Sequence, residues 1–220
     1  MCGRYNISSG EDAARLLGQL RVGEMPEARR NIAPGAHGQF VREHGGEREL
    51  VDGIWSLLIE PKPSGAGFRP SPRFSTFNAR SDRLEASPLW RGRYHHKRAI
   101  VPADGFHEWV GKQCYQVRQP GRALALGALY EVWEFGDVRV PSFSIITVPP
   151  HPRFAHIHAK SLPLLLEPAD FDLWLDPAFS ATDAFRDLLQ PRLRHALEAT
   201  PVDSPLGLHA VGETEVLPPD

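Results

Sequence analysis

The first residues of the chain, Met1-Cys2-Gly3-Arg4, contain the group with the most distinctive chemistry in the sequence. Once an aminopeptidase removes Met1, Cys2 presents an α-amine and a thiol on one Cα. Their reference pKa values of about 8 and about 8.5 leave both groups partly nucleophilic at neutral pH. Such a 1,2-aminothiol can capture an aldehyde through nitrogen and close a five-membered ring through sulfur, or it can act as an N-terminal nucleophile that supplies its own base. The alternative is an inert, buried thiol.

Three other segments carry polar residues whose chemistry would complement this aminothiol. Asn78 and Arg80 stand two apart at a predicted helix start, where backbone N–H groups favour an anion such as phosphate. Glu108 lies in the apolar segment 106–109, a setting that raises a carboxyl pKa toward neutrality. His158 ends a run that contains three histidines. Taken singly, these residues are more typical of a helix cap, an exposed helix charge, a solvent-facing carboxylate and a core histidine than of a functional site.

Composition limits the class of protein. The 220 residues fit one large domain, and hydrophobic residues make up 41% of them. No apolar run approaches the roughly 20 residues of a membrane span, and no secretory leader is evident. We therefore expect a cytoplasmic protein whose two cysteines, Cys2 and Cys114, are free thiols rather than a disulfide.

The formal net charge of −2 argues against a generic nucleic-acid binder, but the charge is unevenly distributed. Residues 68–98 contain eight Lys or Arg against two acids, and residues 167–220 contain eleven acids against three Arg. This asymmetry is consistent with one basic face on a nearly neutral protein, or with two ordinary solvated surfaces.

Hydrophobic periodicity predicts mostly short strands with a few helices. A helix should begin at Ser8 or Ser9, with the apolar stripe Ala14, Leu17 and Leu20, and a second should open at Phe77–Ser81 and end at Pro88. Loops are predicted at 29–35 and 60–72. Strands are predicted near 38–42, 49–55, 99–101, 106–109, 114–118, 123–133, 142–148 and 162–166, and helices at 168–175 and 182–189.

These elements predict one α+β domain over residues 1–220, with a mostly antiparallel, barrel-like sheet and peripheral helices. The part from 167 to 220 is expected to be helical and acidic, and the segment from Pro201 onward could either pack or remain loose.

Five separated motifs occur in order along the chain: Met-Cys-Gly-Arg at 1–4, Asn-Ile-Ala-Pro-Gly at 31–35, Phe-Asn-Ala-Arg-Ser at 77–81, Pro-Ala-Asp-Gly-Phe-His-Glu-Trp at 102–109 and Ile-His-Ala-Lys-Ser-Leu-Pro at 157–163. This order resembles the SOS-response-associated peptidase family, which has a single SRAP domain, and the resemblance runs from Met1 to about Leu166. It implies a protein that binds single-stranded DNA and links covalently to abasic sites through a thiazolidine made by its N-terminal cysteine. Such a link would shield the lesion during the DNA damage response.

The resemblance also implies roles for residues that match the family motifs. The implied catalytic residues are Cys2, Asn78, Glu108 and His158, and the implied DNA-binding residues are Arg4 and Arg80. Glu108 would shuttle protons during Schiff-base formation, and His158 would assist opening of the sugar ring. No cofactor or metal is implied, and we expect a monomer that associates with the nucleoid when bound to DNA.

The sequence departs from the family pattern at three places. Ser161 stands where relatives usually have an arginine, and the segment Trp55–Pro61 lacks a usual glycine after its tryptophan. His107 stands where an aromatic residue is common. We expect these changes to affect DNA affinity and strand preference more than chemistry.

Three other functions use the same residues. A thiol peptidase or N-terminal-nucleophile amidohydrolase would also use Cys2 as its nucleophile. A metal site could be built from His151, His156 and His158, with or without Cys2, although the spacing lacks the paired ligands typical of zinc sites. A DNA sensor that has lost its chemistry would bind damaged strands reversibly.

Overall fold

The computed structural model describes residues 3–220, and most of its ordered backbone is β-sheet. The strands in chain order are β1 (Arg4–Ile7), β2 (Arg29–Ile32), β3 (His37–His44), β4 (Glu47–Trp55), β5 (Ile59–Pro61), β6 (Phe68–Pro70), β7 (Asn78–Arg80), β8 (Arg98–Ala103), β9 (Gly105–Val110), β10 (Gln113–Arg118), β11 (Leu124–Phe135), β12 (Val138–Val148), β13 (Leu162–Pro163), β14 (Leu165–Leu166), β15 (Leu197–Val202) and β16 (Glu215–Leu217). The three α-helices are α1 (Glu11–Gln19), α2 (Pro88–His96) and α3 (Phe171–Leu175).

Five of these strands close into a barrel in the order β12-β4-β3-β8-β11, with β11 pairing back onto β12. All of the barrel pairings are antiparallel except that of β12 with β4. The hairpin between β3 and β4 turns at Gly45 and Gly46, which both have positive φ angles. Two such residues are what a tight, strand-compatible turn requires. The predicted α+β fold with a barrel-like, mainly antiparallel sheet is confirmed.

A second sheet has the order β16-β15-β10-β9-β1-β2 and places β1 beside β9, the strand that carries Glu108. Arg4 of β1 lies opposite His107 of β9, and Tyr5 lies opposite Phe106. Tyr5 and Phe106 are fully buried, so this face of the sheet packs on the barrel.

An aromatic cluster joins the two sheets. The rings of Tyr5 and Trp55 meet edge to face with centroids 5.2 Å apart, and Trp55 stacks on Phe143 at 6.4 Å. Gly38 of β3 leaves room for this contact, because a Cβ there would lie 2.1 Å from the Tyr5 hydroxyl oxygen.

We expect Gly38→Ala to destabilise the fold, because Tyr5 is fully buried and a well-packed core absorbs extra volume only with strain. A loss of about 1–3 kcal/mol in the free energy of unfolding is typical of such overpacking. Urea titration measures it, with Gly23→Ala as the control because a Cβ at Gly23 meets no atom within 4 Å. Equal stabilities of the two variants would contradict the packing argument.

The helix α1 confirms the prediction of a helix after Ser9, and two of the three residues of the predicted apolar stripe, Leu17 and Leu20, are buried. Ala13, Leu16 and Leu17 face the core together with Leu20, whereas Ala14 is exposed.

The predicted helix opening at Phe77–Ser81 is wrong. Residues 78–80 form β7, which pairs in parallel with β12, and only a single 3-10 turn (Ser81–Arg83) follows. Pro88 begins α2 instead of ending a helix, since proline at the first helical position loses no hydrogen bond that the helix needs.

The two predicted loops and the predicted helical C-terminal part also need correction. Residues 29–32 form β2, and the Pro- and Gly-rich segment contains the β5–β6 hairpin. Beyond 166 the helical predictions reduce to short 3-10 turns and α3, while β15 and β16 complete the second sheet. The segment from Pro201 onward therefore packs on the domain, because strand pairing satisfies its backbone groups. None of the described helices combines the length and apolarity that a membrane-spanning helix requires.

Candidate active site

A carboxyl–imidazole pair forms the centre of the candidate site. Glu108 lies on β9 and is 3% exposed, and its Oε2 lies 3.1 Å from Nδ1 of His158. His158 follows the 3-10 turn Pro152–Phe154, and its backbone N–H donates to the Phe154 carbonyl. Phe154 is itself fully buried against Phe106, two residues before Glu108 on β9. Core packing thus positions both members of the pair.

Burial decides the protonation of this pair. It raises the pKa of Glu108 to about 7, because an ionised carboxylate loses its hydration there. Burial also lowers the pKa of His158 to well below its usual value, and the positive charge of Lys160 adds to that shift. A protonated carboxyl beside a neutral imidazole is therefore accessible near neutral pH, and such a pair can donate or accept a proton.

Asn78 lies on β7, 9% exposed, with its Cα opposite Ile145 of β12. The Nε1–H of Trp55 donates to the carbonyl of Phe77 at 2.8 Å and so fixes the backbone next to Asn78. Ser56, which follows Trp55, hydrogen-bonds the hydroxyl of Thr76 at 3.1 Å. The segment that departs from the family pattern after its tryptophan thus holds the strand of Asn78 from one side.

Arg80 lies at the end of β7 and is exposed, but it already has a carboxylate partner. Its Nε and Nη2 donate to the two oxygens of Asp82 at 3.0 and 2.7 Å. The prediction of a helix N-terminus at this point is wrong, so an anion here would meet the guanidinium rather than helical N–H groups.

A groove of about 540 Å³ runs from Arg80 to the segment after His158. Its lining residues come from three parts of the chain: Arg80, Ser81 and Asp82, then Thr147, Val148, Pro149 and Pro150, and finally Lys160 and Ser161. The hydroxyls of Thr147 and Ser161 are buried there, and within residues 3–220 neither has a hydrogen-bond partner. Thr147, Lys160 and Asp82 were not predicted to be site residues, because nothing in the sequence indicates that β7 and β12 lie side by side.

Arg4 is the first residue of β1 and is partly buried, and its Nη1 donates to the Gly3 carbonyl at 2.6 Å. Opposite it, His107 is fully buried, and burial lowers the pKa of its imidazole to about 4. Cys2, the predicted nucleophile, lies outside the described residues.

The three histidines of the alternative metal site do not converge. His151 Nε2 contacts Asp220 at 2.9 Å, His156 Nε2 contacts Glu215 at 2.7 Å, and His158 contacts Glu108. Over residues 3–220, no group of three or more His, Cys, Asp or Glu side chains is arranged to hold a metal ion.

The cations of residues 68–98 are mostly neutralised rather than gathered on one bare basic face. Arg93 and Lys97 both pair with Glu131, Arg69 pairs with Glu60, and Arg91 lies 3.8 Å from Glu85. Arg98 is 2% exposed and donates to five backbone carbonyls, those of Tyr94, His95, Trp174, Asp176 and Phe179.

Comparison with curated proteins finds relatives over most of the chain. The abasic site processing protein YoqW of Bacillus subtilis is 28% identical over 217 residues, which is 93% of each chain. The abasic site processing protein YedK of Escherichia coli is 27% identical over 84% of this chain and 83% of its own. The chicken protein HMCES, also named an abasic site processing protein, is 28% identical over 66% of this chain and 50% of its own.

Solved structures share the fold. A protein from Bordetella bronchiseptica superimposes with a TM-score of 0.72 at 22% identity, covering 92% of this chain and all of the other. One from Bacteroides thetaiotaomicron gives the same TM-score at 20% identity. The family model described as SOS response associated peptidase (SRAP) matches residues 1–208, so this chain belongs to the SRAP family.

Proposed function

We propose that this protein binds single-stranded DNA at abasic sites and forms a covalent thiazolidine between Cys2 and the ring-opened sugar. The observation that carries the proposal is the pair formed by Glu108, which is buried on the strand beside β1, and the half-buried His158. Arg4, the first residue of β1, lies opposite His107, which is the neighbour of Glu108 on β9. Gly3 precedes Arg4 in the chain. Cys2 is bonded to Gly3. Membership of the SRAP family and the names of the curated relatives support the substrate.

The chemistry begins with removal of Met1 and opening of the abasic deoxyribose to its aldehyde. The free-base α-amine of Cys2 adds to the aldehyde carbon and gives a carbinolamine. Glu108 in its protonated form donates a proton to the hydroxyl, which leaves as water, and the C=N bond of an iminium forms. The thiolate of Cys2 then adds to the iminium carbon to form the C–S bond. Overall, aldehyde and aminothiol give thiazolidine and one water, and Glu108 regains its proton from the amine or the thiol.

His158 is the second side chain that can carry a proton during this reaction. Its neutral imidazole accepts from Glu108 or returns a proton to it, and it can take the proton of the sugar hydroxyl during ring opening. Asn78 would hold the α-amine or the sugar by its amide. An abasic nucleotide in a single strand is already free of pairing and stacking, so the substrate reaches the site without the cost of extruding a base.

The groove beside Arg80 is proposed to receive a flanking phosphate. Guanidinium groups bind phosphate oxygens through two parallel N–H bonds, and the planar fork now occupied by Asp82 has the matching geometry. Lys160, at the other side of the same groove, adds a second positive charge.

The proposed function is tested by intact mass spectrometry after mixing the Met1-processed protein with a single-stranded abasic oligonucleotide. We expect one adduct with the mass of protein plus oligonucleotide minus one water. A matched oligonucleotide with tetrahydrofuran in place of the abasic sugar has no aldehyde and should give no adduct. Absence of any adduct with the abasic strand would contradict the proposal, and cleavage of unrelated peptides instead would favour the hydrolase.

We expect Arg80→Gln to weaken noncovalent binding of the tetrahydrofuran strand by about 3- to 10-fold in low salt, because one phosphate contact is lost. The slope of log affinity against log salt should fall by about 0.7, the value for one phosphate of a single strand. Fluorescence anisotropy measures both. Arg186→Gln is the control, since Arg186 is also exposed and paired with an aspartate, Asp183. Equal affinities and slopes for the two variants would remove Arg80 from the DNA site.

We propose that the protein acts on DNA in the cytoplasm as a monomer and without a cofactor or metal. Light scattering with and without the abasic strand measures the stoichiometry, and a complex of one protein per lesion is expected.

A further inference from the structure

We infer that residues 215–220 form a strap that positions the loop of His158, and that Asp220 is a positioning residue for the reaction. The inference rests on the proposed function for its kinetic consequence only. Residues 215–220 lie beyond the 1–208 matched by the family model.

The strap is fixed at one side by the second sheet. Glu215–Leu217 pairs as β16 with β15, where Leu217 lies opposite Leu197 and is 2% exposed. Asp220 then joins Leu193 twice, since its backbone N–H donates to the Leu193 carbonyl at 2.9 Å and its Oδ2 accepts from the Leu193 N–H at 3.1 Å. These bonds give the strap a defined position relative to the domain.

At its other side the strap contacts the loop that precedes His158. Oδ1 of Asp220 lies 2.9 Å from Nε2 of His151 and 3.0 Å from Nη1 of Arg153. The same Arg153 nitrogen donates to the carbonyls of Pro218 and Pro219 at 3.2 and 2.9 Å. Upstream in the strap, Glu215 contacts His156 at 2.7 Å. Three residues of one eight-residue loop are therefore bound by one strap.

Among the contacts of the strap, the one between Asp220 and His151 connects it to the turn before His158. Nδ1 of His151 accepts the backbone N–H of Arg153 at 3.2 Å and so caps the 3-10 turn Pro152–Phe154. Because Nδ1 is an acceptor, the ring proton lies on Nε2, which donates to the Asp220 carboxylate. Phe154, the last residue of this turn, accepts a hydrogen bond at its carbonyl from the backbone N–H of His158. Asp220 thus fixes the tautomer and ring orientation of His151. Because His151 caps the turn before His158, Asp220 also helps to fix the position of the His158 backbone.

Asp220 is exposed, while Phe154 and Ile157 already anchor the loop in the core. Loss of the strap contact is therefore expected to leave the fold intact and to loosen the imidazole of His158. Small displacements of catalytic groups, of about 1 Å, can cost up to 10²-fold in rate. For a loop still anchored by two core residues we expect a smaller effect of about 5- to 10-fold.

The test compares Asp220→Ala, Asp220→Asn and the control Asp183→Ala, which breaks another exposed aspartate–arginine pair away from this loop. In Asp220→Ala the rate constant of adduct formation should fall about 5- to 10-fold, with unchanged affinity for the tetrahydrofuran strand. Asp220→Asn keeps an oxygen that accepts from His151, so it should recover most of the rate. Asp183→Ala should match the wild type in both measurements.

A readout without DNA separates this inference from the proposed function. In nitrogen-15 spectra of the imidazoles, Asp220→Ala should shift the His158 resonances and move the midpoint of its titration toward that of a free histidine, while Asp183→Ala should not. Unchanged His158 spectra in a folded Asp220→Ala protein would overturn the strap. If the wild type forms no adduct but these spectra change as expected, the proposed function fails and the strap stands.

Discussion

Replacing Cys2 by alanine should abolish the stable covalent adduct with abasic single-stranded DNA, because no sulfur remains to close the ring. Noncovalent affinity for a tetrahydrofuran strand should change by less than about 2-fold, since binding is proposed to depend on the groove. Intact mass spectrometry measures the adduct, and anisotropy measures the affinity. Cys2→Ala and Cys2→Ser both keep the α-amine, so each should still form a Schiff base that borohydride traps but that hydrolyses without it.

The second cysteine provides the matched control for this experiment. Cys114 is 3% exposed on β10, and burial raises the pKa of its thiol to about 11, so it is almost entirely protonated at neutral pH. Cys114→Ala should form the adduct at the wild-type rate. Retention of Met1 should block the reaction as completely as Cys2→Ala, because it removes the free amine from Cys2. A full adduct yield from Cys2→Ala or from the Met1-containing protein would exclude the thiazolidine mechanism.

Replacing Glu108 by glutamine should lower the rate constant of adduct formation by about 10²-fold or more, the lower range for loss of a positioned general acid. The amide keeps the shape of the side chain, but it cannot give up a proton. Because the reaction needs both a free-base α-amine, with a reference pKa of about 8, and a protonated Glu108, the wild-type rate should stop rising with pH above about 7. The rate of Glu108→Gln should keep rising as the amine loses its proton. Rates measured by quenched gel analysis between pH 5.5 and 8.5 check both statements. An unchanged rate, or the same levelling-off above pH 7 in the variant, would remove Glu108 from its role.

The same substitution has an effect on stability whose sign follows from the raised pKa of Glu108. The folded protein binds this proton more tightly than the unfolded chain, so the contribution of Glu108 to stability is complete below a pH of about 4.5 and is lost as the pH rises through about 7. Glu108→Gln should therefore raise Tm relative to wild type at pH 8 and change it less at pH 5. Glu131→Gln is a control of opposite sign. Although burial opposes it, hydrogen bonding by Lys97 holds the pKa of Glu131 below its usual range, and the substitution should lower Tm at pH 8.

Most of the fold and part of the site could be predicted from the sequence. The apolar periodicity of the barrel strands and the apolar stripe after Ser9 follow from local chemistry, which is why the barrel and α1 were predicted. The helix predicted at Phe77–Ser81 failed because the preference of a three-residue segment is weaker than the parallel pairing that β12 offers it.

The candidate site, like the fold, was predicted from the sequence only in part. The five motifs in the sequence indicated Glu108 and His158 and the kind of chemistry they would perform, because residue type is written directly in the chain. Only the tertiary structure decided that the side chains of Glu108 and His158 lie 3.1 Å apart. It also decided that Arg80 donates hydrogen bonds to Asp82 and that residues 215–220 contact the loop before His158. Distances, desolvation and charge pairing depend on segments far apart in sequence, and a protonation state is set by that surrounding and not by the residue alone.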